Sequence, residues 1–397
     1  MLLDIALMII FGLLGKHLAL ALRLPGLVGI MVAGILVNRA NLLGPTLLLL
    51  SKDLRLIALI VILLRAGLEL DKKMLKKAGW RAILMSFLPC LLEGLTVTFI
   101  APYLLPLGSL EAGLLGFILA AVSPAVVVPS MIRLQKEGLG TNKGIPTIIL
   151  AGSSVDDVFA ITIFSLLLNT YQGQQVSIGL TFLSLLQNLV LGLLIGIGTG
   201  LVLNKIFSYG QKKLCSSEKL LVVVAVSLVL TALAKVISFA SLLSIMVMGF
   251  VIQITNIQRA KVLASKLEQV WVFASLVLFF LVGAELPLKT ALNTGLVGVL
   301  VVAIGLLGRS VGVFLALLGS KLSFSEKLFC TIAYMPKATV QAAIGALPLA
   351  AGVLGGKIIL SVAVVSILLT APLGLILIEK TAPLLLEKDK GMELETS

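Results

Sequence analysis

The sequence predicts an all-α polytopic membrane protein of about thirteen transmembrane helices, arranged as two inverted repeats with two broken, crossing helices. Three observations lead there. Hydrophobic residues make up 59% of the 397 and charged ones 12%, with a mean hydropathy of +1.17; a soluble domain this apolar has too little polar surface to face water. Apolar runs of about 20 residues, the length of a bilayer-crossing helix, recur along the whole chain. Lys and Arg gather in alternate loops, and mid-span prolines fall in the fifth and twelfth runs.

The runs place spans at 2–22, 24–38, 53–70, 80–105, 110–135, 144–169, 177–208, 218–236, 238–255, 268–286, 290–319, 325–350 and 357–380. The first carries Asp4 and no basic leading segment, and its cations Lys16 and Arg23 lie at the far end, so it reads as a mature helix rather than a signal peptide. Spans three and four are separated by "DKKMLKKAGWR", five and six by "RLQKEGLGTNK", seven and eight by "NKIFSYGQKK", nine and ten by "QRAKVLASK", eleven and twelve by "SKLSFSEK". The intervening loops "YLLPLGSLEAG" and "NTYQGQQVS" contain neither Lys nor Arg. This positive-inside bias puts the C-terminus in the cytoplasm and the N-terminus outside, and it accounts for the net charge of +13 without a nucleic-acid partner. Span seven contains "GLLIGIGTG"; with no strand before it, the glycines read as close helix packing rather than a dinucleotide fingerprint. Three unpaired cysteines and a single histidine, His17, speak against disulfides and most metal sites, and no cofactor is expected. His17, Lys16 and Arg65 are expected to reach the cytoplasmic interface with their polar ends.

Span five reads "LAAVSPAVVVPSM", with Pro124 and Pro129, and span twelve "IAYMPKATVQAAIG", with Pro336. Proline removes a backbone donor and obstructs the turn before it. Seven spans apart, the two broken helices are the fifth members of two units of opposite orientation, which is the sequence pointer to a midplane ion site in a transporter. Freed carbonyls at the crossing are expected to be ready to coordinate a cation. The buried charges fall in the same frame: Glu93 in span four, Arg309 at its counterpart in span eleven, Asp156 and Asp157 in span six, and Lys337 beside the span-twelve proline. Each carboxylate in so apolar a run costs about 2.5–3.5 kcal/mol on the lenient insertion scale. Pairing Glu93 with Arg309 as a structural ion pair leaves the aspartates sharing Lys337, so at least one is free for a proton or a cation.

The stretches "LRAGLELD" (64–71), "LPCLLEG" (88–94), "VSPAVVVPSM" (122–131), "GSSVDDVFAI" (152–161) and "PKATVQAAIG" (336–345) resemble the sodium/proton antiporters of the cation:proton antiporter superfamily that carry an Asp-Asp motif, the NHA branch above all. The resemblance covers residues 50–380. It implies exchange of Na+ or Li+ for protons, a homodimer, and elevator-like movement of a core domain (80–169 and 290–380) against a dimerisation domain (1–70 and 218–286). Helix 177–208 would be the linker and 381–397 a cytoplasmic tail, and a prokaryotic plasma (inner) membrane is the expected location. Asp157 matches the ion-binding aspartate and Asp156 its partner, with Ser123 and Ser154 as oxygen ligands. Many electrogenic relatives have lysine where Arg309 stands, which bears on stoichiometry: arginine keeps its proton within a protein, so one-for-one exchange is expected. Three other readings stand beside this one: potassium as the cation, electrogenic exchange, and a channel. An intramembrane aspartyl protease needs two carboxylates facing one water, whereas neighbours on a helix point about 100° apart.

Overall fold

The structure, a computed structural model, describes residues 1–22, 26–70, 72–173, 178–209, 214–234, 236–285 and 288–389. Among these the regular structure is helical, save one isolated bridge between Leu139 and Lys388. Nine of the described helices are long and apolar enough to cross a membrane. Three shorter apolar helical segments and the more charged helix Pro45–Glu69 bring the crossings to the thirteen expected.

The chain divides into two compact units. The first comprises Met1–Lys72 and Leu183–Glu285. It holds α1 (Leu2–Ala21), α2 (Gly26–Arg39), α3 (Pro45–Glu69), most of α9 (Ile178–Tyr209), α10 (Ser216–Leu233), α11 (Ser241–Thr255) and α12 (Ile257–Ala284). The second comprises Lys73–Phe182 and Leu286–Ser397. Its helices are α4 (Lys72–Met85), α5 (Leu88–Leu104), α6 (Ser109–Leu119), α7 (Pro124–Lys136), α8 (Ile145–Tyr171), α13 (Leu288–Ala316), α14 (Phe324–Ala333), α15 (Thr339–Ile344), α16 (Leu347–Ala350) and α17 (Gly356–Leu385).

Two helices of the first unit begin well before the apolar run that announced them. In α3, Pro45 occupies the first turn, where its missing N–H costs nothing. The charged Arg55 that follows is held within the helix because it pairs with Glu285 at 2.6 Å. In α12, the Asn256 side chain accepts the Arg259 N–H at 2.9 Å, capping a charged first turn that reads as loop from composition. Arg65 does not reach the interface. It is 5% exposed and pairs with Glu69 and Glu268, each at 3.1 Å.

Close packing in this unit is mirrored. The sequence "IMVAG" (30–34) on α2 is answered by "IMVMG" (245–249) on α11. A side chain at Gly283 of α12 would strike the Met31 carbonyl, and one at Gly67 of α3 the Met246 carbonyl. In return Gly34 lies against the Phe280 carbonyl and Gly249 against that of Leu64. Small residues let membrane helices approach until their backbones touch. On α9, Gly192, Gly196 and Gly200 of "GLLIGIGTG" do the same at α11 and its N-cap, where the Gly192 carbonyl accepts the Ser244 hydroxyl at 2.6 Å. Alanine in a helix is ordinarily better than glycine by about 0.5–1 kcal/mol, but here a backbone carbonyl blocks the methyl. Gly283→Ala and Gly67→Ala should therefore each destabilise by about 1–3 kcal/mol, the range for overpacking. Thermal melting in detergent checks this; a melting temperature equal to or above that of the parent would contradict it.

The second unit repeats itself as well. Gly79 in α4 and Gly295 in α13 share one non-helical conformation, φ 46, ψ −130 and φ 47, ψ −136. A side chain is strained there, and glycine is not. Each ends a short leading helix and turns the chain into a long apolar one. The fourth span is interrupted again at Ser86–Phe87, after which α5 restarts with Pro89 in its first turn.

Candidate functional site

Both expected breaks lie in the second unit. Span five is two half-helices, α6 ending at Leu119 and α7 starting at Pro124. Pro124 begins the second half instead of kinking a continuous helix, while Pro129 lies inside α7, which runs on to Lys136. So Pro129 breaks nothing. Span twelve stops at Ala333 and resumes at Thr339, with Pro336 in the gap. The two gaps are joined directly, since the Ser123 N–H donates to the Pro336 carbonyl at 2.8 Å. Gly374 of α17 makes room for the Pro336 ring, which a Cβ there would meet.

Around this crossing sit the buried charges. Arg309, 1% exposed on α13, donates through Nη1 to Glu93 Oε2 at 2.7 Å and through Nη2 to Asp156 Oδ2 at 2.9 Å. Its Nη1 also donates to the Ala120 carbonyl at 2.5 Å, and its guanidinium carbon lies 5.3 Å from the centre of the Tyr334 ring. A planar fork of donors can satisfy three acceptors at once, which a lysine ammonium on one flexible stem does less well. Lys337 Nζ donates to the same Glu93 oxygen at 2.8 Å, and its backbone N–H to the Thr370 hydroxyl at 2.9 Å. Lys337 therefore makes its direct ion pair with Glu93 and not with either aspartate. The carboxylate within its reach is Glu93, and Arg309 bridges onward to Asp156.

Asp156 and Asp157 have different surroundings despite being neighbours on α8. Asp156 is fully buried and also accepts the Val122 N–H at 2.9 Å. Asp157 is 7% exposed and forms no ion pair with the described residues, and its buried Oδ1 has no hydrogen-bond partner among them. The hydroxyl of Ser123, fully buried in the span-five gap, is without a partner too. The side chain of Ser154 lies outside the described residues.

A family model described as "Sodium/hydrogen exchanger, transmembrane" matches residues 5–379. The chain belongs to the sodium/hydrogen exchanger family. Among similar proteins, human sodium/hydrogen exchanger 9B2 is 36% identical over 398 residues, which cover 94% of this chain and 73% of the relative. Human sodium/hydrogen exchanger 9B1 is 33% identical, over 92% of this chain and 73% of its own length. The sodium proton antiporter MjNhaP1 from Methanocaldococcus jannaschii, solved at pH 8, superposes with a TM-score of 0.75 over 96% of this chain and 97% of that one. At 21% identity the last shows the fold. As an exchanger the chain is an integral membrane cation/proton antiporter, a transporter and not an enzyme. A prokaryotic membrane, expected from the sequence, finds no support in the vertebrate relatives.

Two features of the exchanger's crossing escape a reading of composition. Three of the carbonyls at the span-five break are engaged by the protein's own donors: Ile118, Ala120 and Ala121. The donor to Ile118 and Ala121 is Gln341, an amide in the middle of the largely apolar half-helix "TVQAAI", which was the available signal.

Proposed function

We propose that this exchanger moves one Na+ or Li+ against one proton, with Asp157 binding either in competition. The observation that carries the reading is the balance of buried charge. Glu93 and Asp156 are matched by Arg309 and Lys337 in one connected network, and Asp157 stands outside it with one negative charge. A membrane interior makes that charge costly, so a proton or a monovalent cation settles there and each displaces the other. The unpartnered Ser123 hydroxyl in the span-five gap supports Ser123 as an oxygen ligand, and Ser154, three residues before Asp157 on α8, is proposed as another.

Movement is elevator-like in this reading. The second unit, which carries the whole charge network, is the transporting core, and the first unit is the static homodimerisation scaffold. Helix α9 is less a free linker than expected, because from Leu183 on it groups with the first unit. Orientation follows the basic loops, with the N-terminus outside and the C-terminus in the cytoplasm of a plasma membrane. Loops and tail assigned to the cytoplasmic side meet one another, as Lys143 pairs with Glu326 at 3.0 Å and with Glu387 at 3.4 Å.

Stoichiometry is the testable core of the proposal. Arginine does not release its proton, and Lys337 is tied to Glu93, so Asp157 supplies the single exchangeable proton. Sodium-driven proton movement in proteoliposomes, with the potential clamped by potassium and valinomycin, should be the same at zero and at an imposed potential. A rate that follows the potential, and loses that dependence in Lys337→Gln, would establish electrogenic exchange with Lys337 as second carrier. The same assay run with lithium, sodium and potassium gives the cation preference.

A further inference from the structure

The span-five gap leaves a run of backbone groups without helical partners, and five of them are taken up. The Ala120 carbonyl goes to Arg309, the Val122 N–H to Asp156 and the Ser123 N–H to the Pro336 carbonyl. The Ile118 and Ala121 carbonyls both go to Gln341 Nε2, each at 2.9 Å. One peptide unit is thus held at both ends. Its oxygen, on Ala121, is gripped by Gln341 of α15, and its N–H, on Val122, by Asp156 of α8. A peptide is planar and trans, so turning the oxygen turns the N–H that Asp156 receives.

Resting on the role given to Asp157 above, we propose that Gln341 is a positioning residue for the cation site. It orients the Ala121–Val122 peptide, the peptide orients Asp156, and Asp156 sets the backbone of α8 from which Asp157 is presented. The chemistry of the position suits this task and little else. Among uncharged side chains, only a primary amide offers two N–H donors from one nitrogen to two carbonyls. Its own oxygen has no partner among the described residues, and the residue is 2% exposed, so it serves as a donor. Because the contact reaches from the broken helix of one repeat to the break in the other, it also ties the state of α15 to the geometry at Asp156.

The test is the apparent KM for Na+ in proteoliposomes, with sodium-induced thermal stabilisation in detergent as an independent measure of binding. Gln341→Met keeps the volume and removes both donors; its KM should rise at least fivefold, with a smaller fall in maximal rate. Gln341→Glu carries one O–H donor when protonated and none when ionised. Its KM relative to the parent should therefore climb as the pH is raised, a trend that a packing defect does not produce. Should Gln341→Met fail to fold, the Gln341→Glu series decides alone. A parental KM in folded Gln341→Met, or a KM ratio for Gln341→Glu that is flat with pH, would overturn the proposal. Asp157→Asn run alongside separates the two claims: coupled flux surviving there defeats the role of Asp157, whereas a silent Asp157→Asn with a parental Gln341→Met defeats only that of Gln341.

Discussion

Asp157→Asn should reduce proton-coupled sodium movement to the level of empty liposomes while the protein stays folded. Asparagine keeps the shape of the side chain and loses the charge for which proton and cation compete. Folding survives because Asp157 is outside the ion-pair network, so its neutralisation orphans no cation among the described residues. The substitution in fact removes a charge from a water-poor setting, which favours the folded state. A ligand that binds the folded protein stabilises it by RT ln(1 + [L]/Kd), about 2.7 kcal/mol at one hundred times Kd. That sodium-dependent gain in melting temperature should vanish as well. Asp156→Asn is the contrast: it breaks the 2.9 Å pair with Arg309 and should lower the melting temperature without sodium. Coupled flux in Asp157→Asn would remove Asp157 from the site.

Arg309→Met should be the most destabilising single change in the second unit. The guanidinium is buried between two carboxylates and a carbonyl. Its loss leaves Asp156 with a backbone N–H alone and Glu93 with Lys337 alone. Removing one partner of a buried pair costs about 3–5 kcal/mol, because the other charge stays behind unpaired. At roughly 2–4 °C per kcal/mol for a unit of the size of the second one, the melting temperature in detergent should fall on the order of 10 °C. Arg309→Lys should fall between, since one ammonium cannot span both carboxylates and the Ala120 carbonyl. The double variant Glu93→Gln, Arg309→Met should lose less than the two singles together, as coupled neighbours do. Strict additivity would mean that the 2.7 Å contact carries no energy.

Much of this architecture is legible without coordinates, because a bilayer enforces simple rules. Span length follows from hydrocarbon thickness and backbone satisfaction, which is why thirteen crossings and two breaks follow from hydropathy and proline alone. What hydropathy misses are helical turns whose polar residues find partners far along the chain. Arg55, with its partner Glu285, is one such residue; the first turn of α12 is missed for a local reason, the cap that Asn256 gives the Arg259 N–H. At the site, residue types point to the right cluster, but not to its wiring. Lys337 adjoins a broken helix as the aspartates do, yet it reaches Glu93. Only side-chain geometry separates those options. The breaks mislead in a subtler way: a freed carbonyl reads as a vacant ligand until a neighbour such as Gln341 is seen to hold it. The "IMVAG" and "IMVMG" pair, by contrast, is plain in the sequence, and its meaning appears only when each glycine is found under a carbonyl of the other repeat.

Those four glycines bear on what the first unit is able to do. Where side chains separate two helices, rotamer changes let one slide over the other by small steps, and a machine built so can yield anywhere along the joint. Where main chain rests on main chain, as Gly283 on Met31, Gly67 on Met246, Gly34 on Phe280 and Gly249 on Leu64, nothing between the surfaces is left to rearrange. The contacts also come as a matched pair, α2 with α12 and α3 with α11, each joining one repeat to the other. If the first unit is the scaffold proposed above, these joints make it resist sliding, and the work of an ion gradient goes into displacing the other unit.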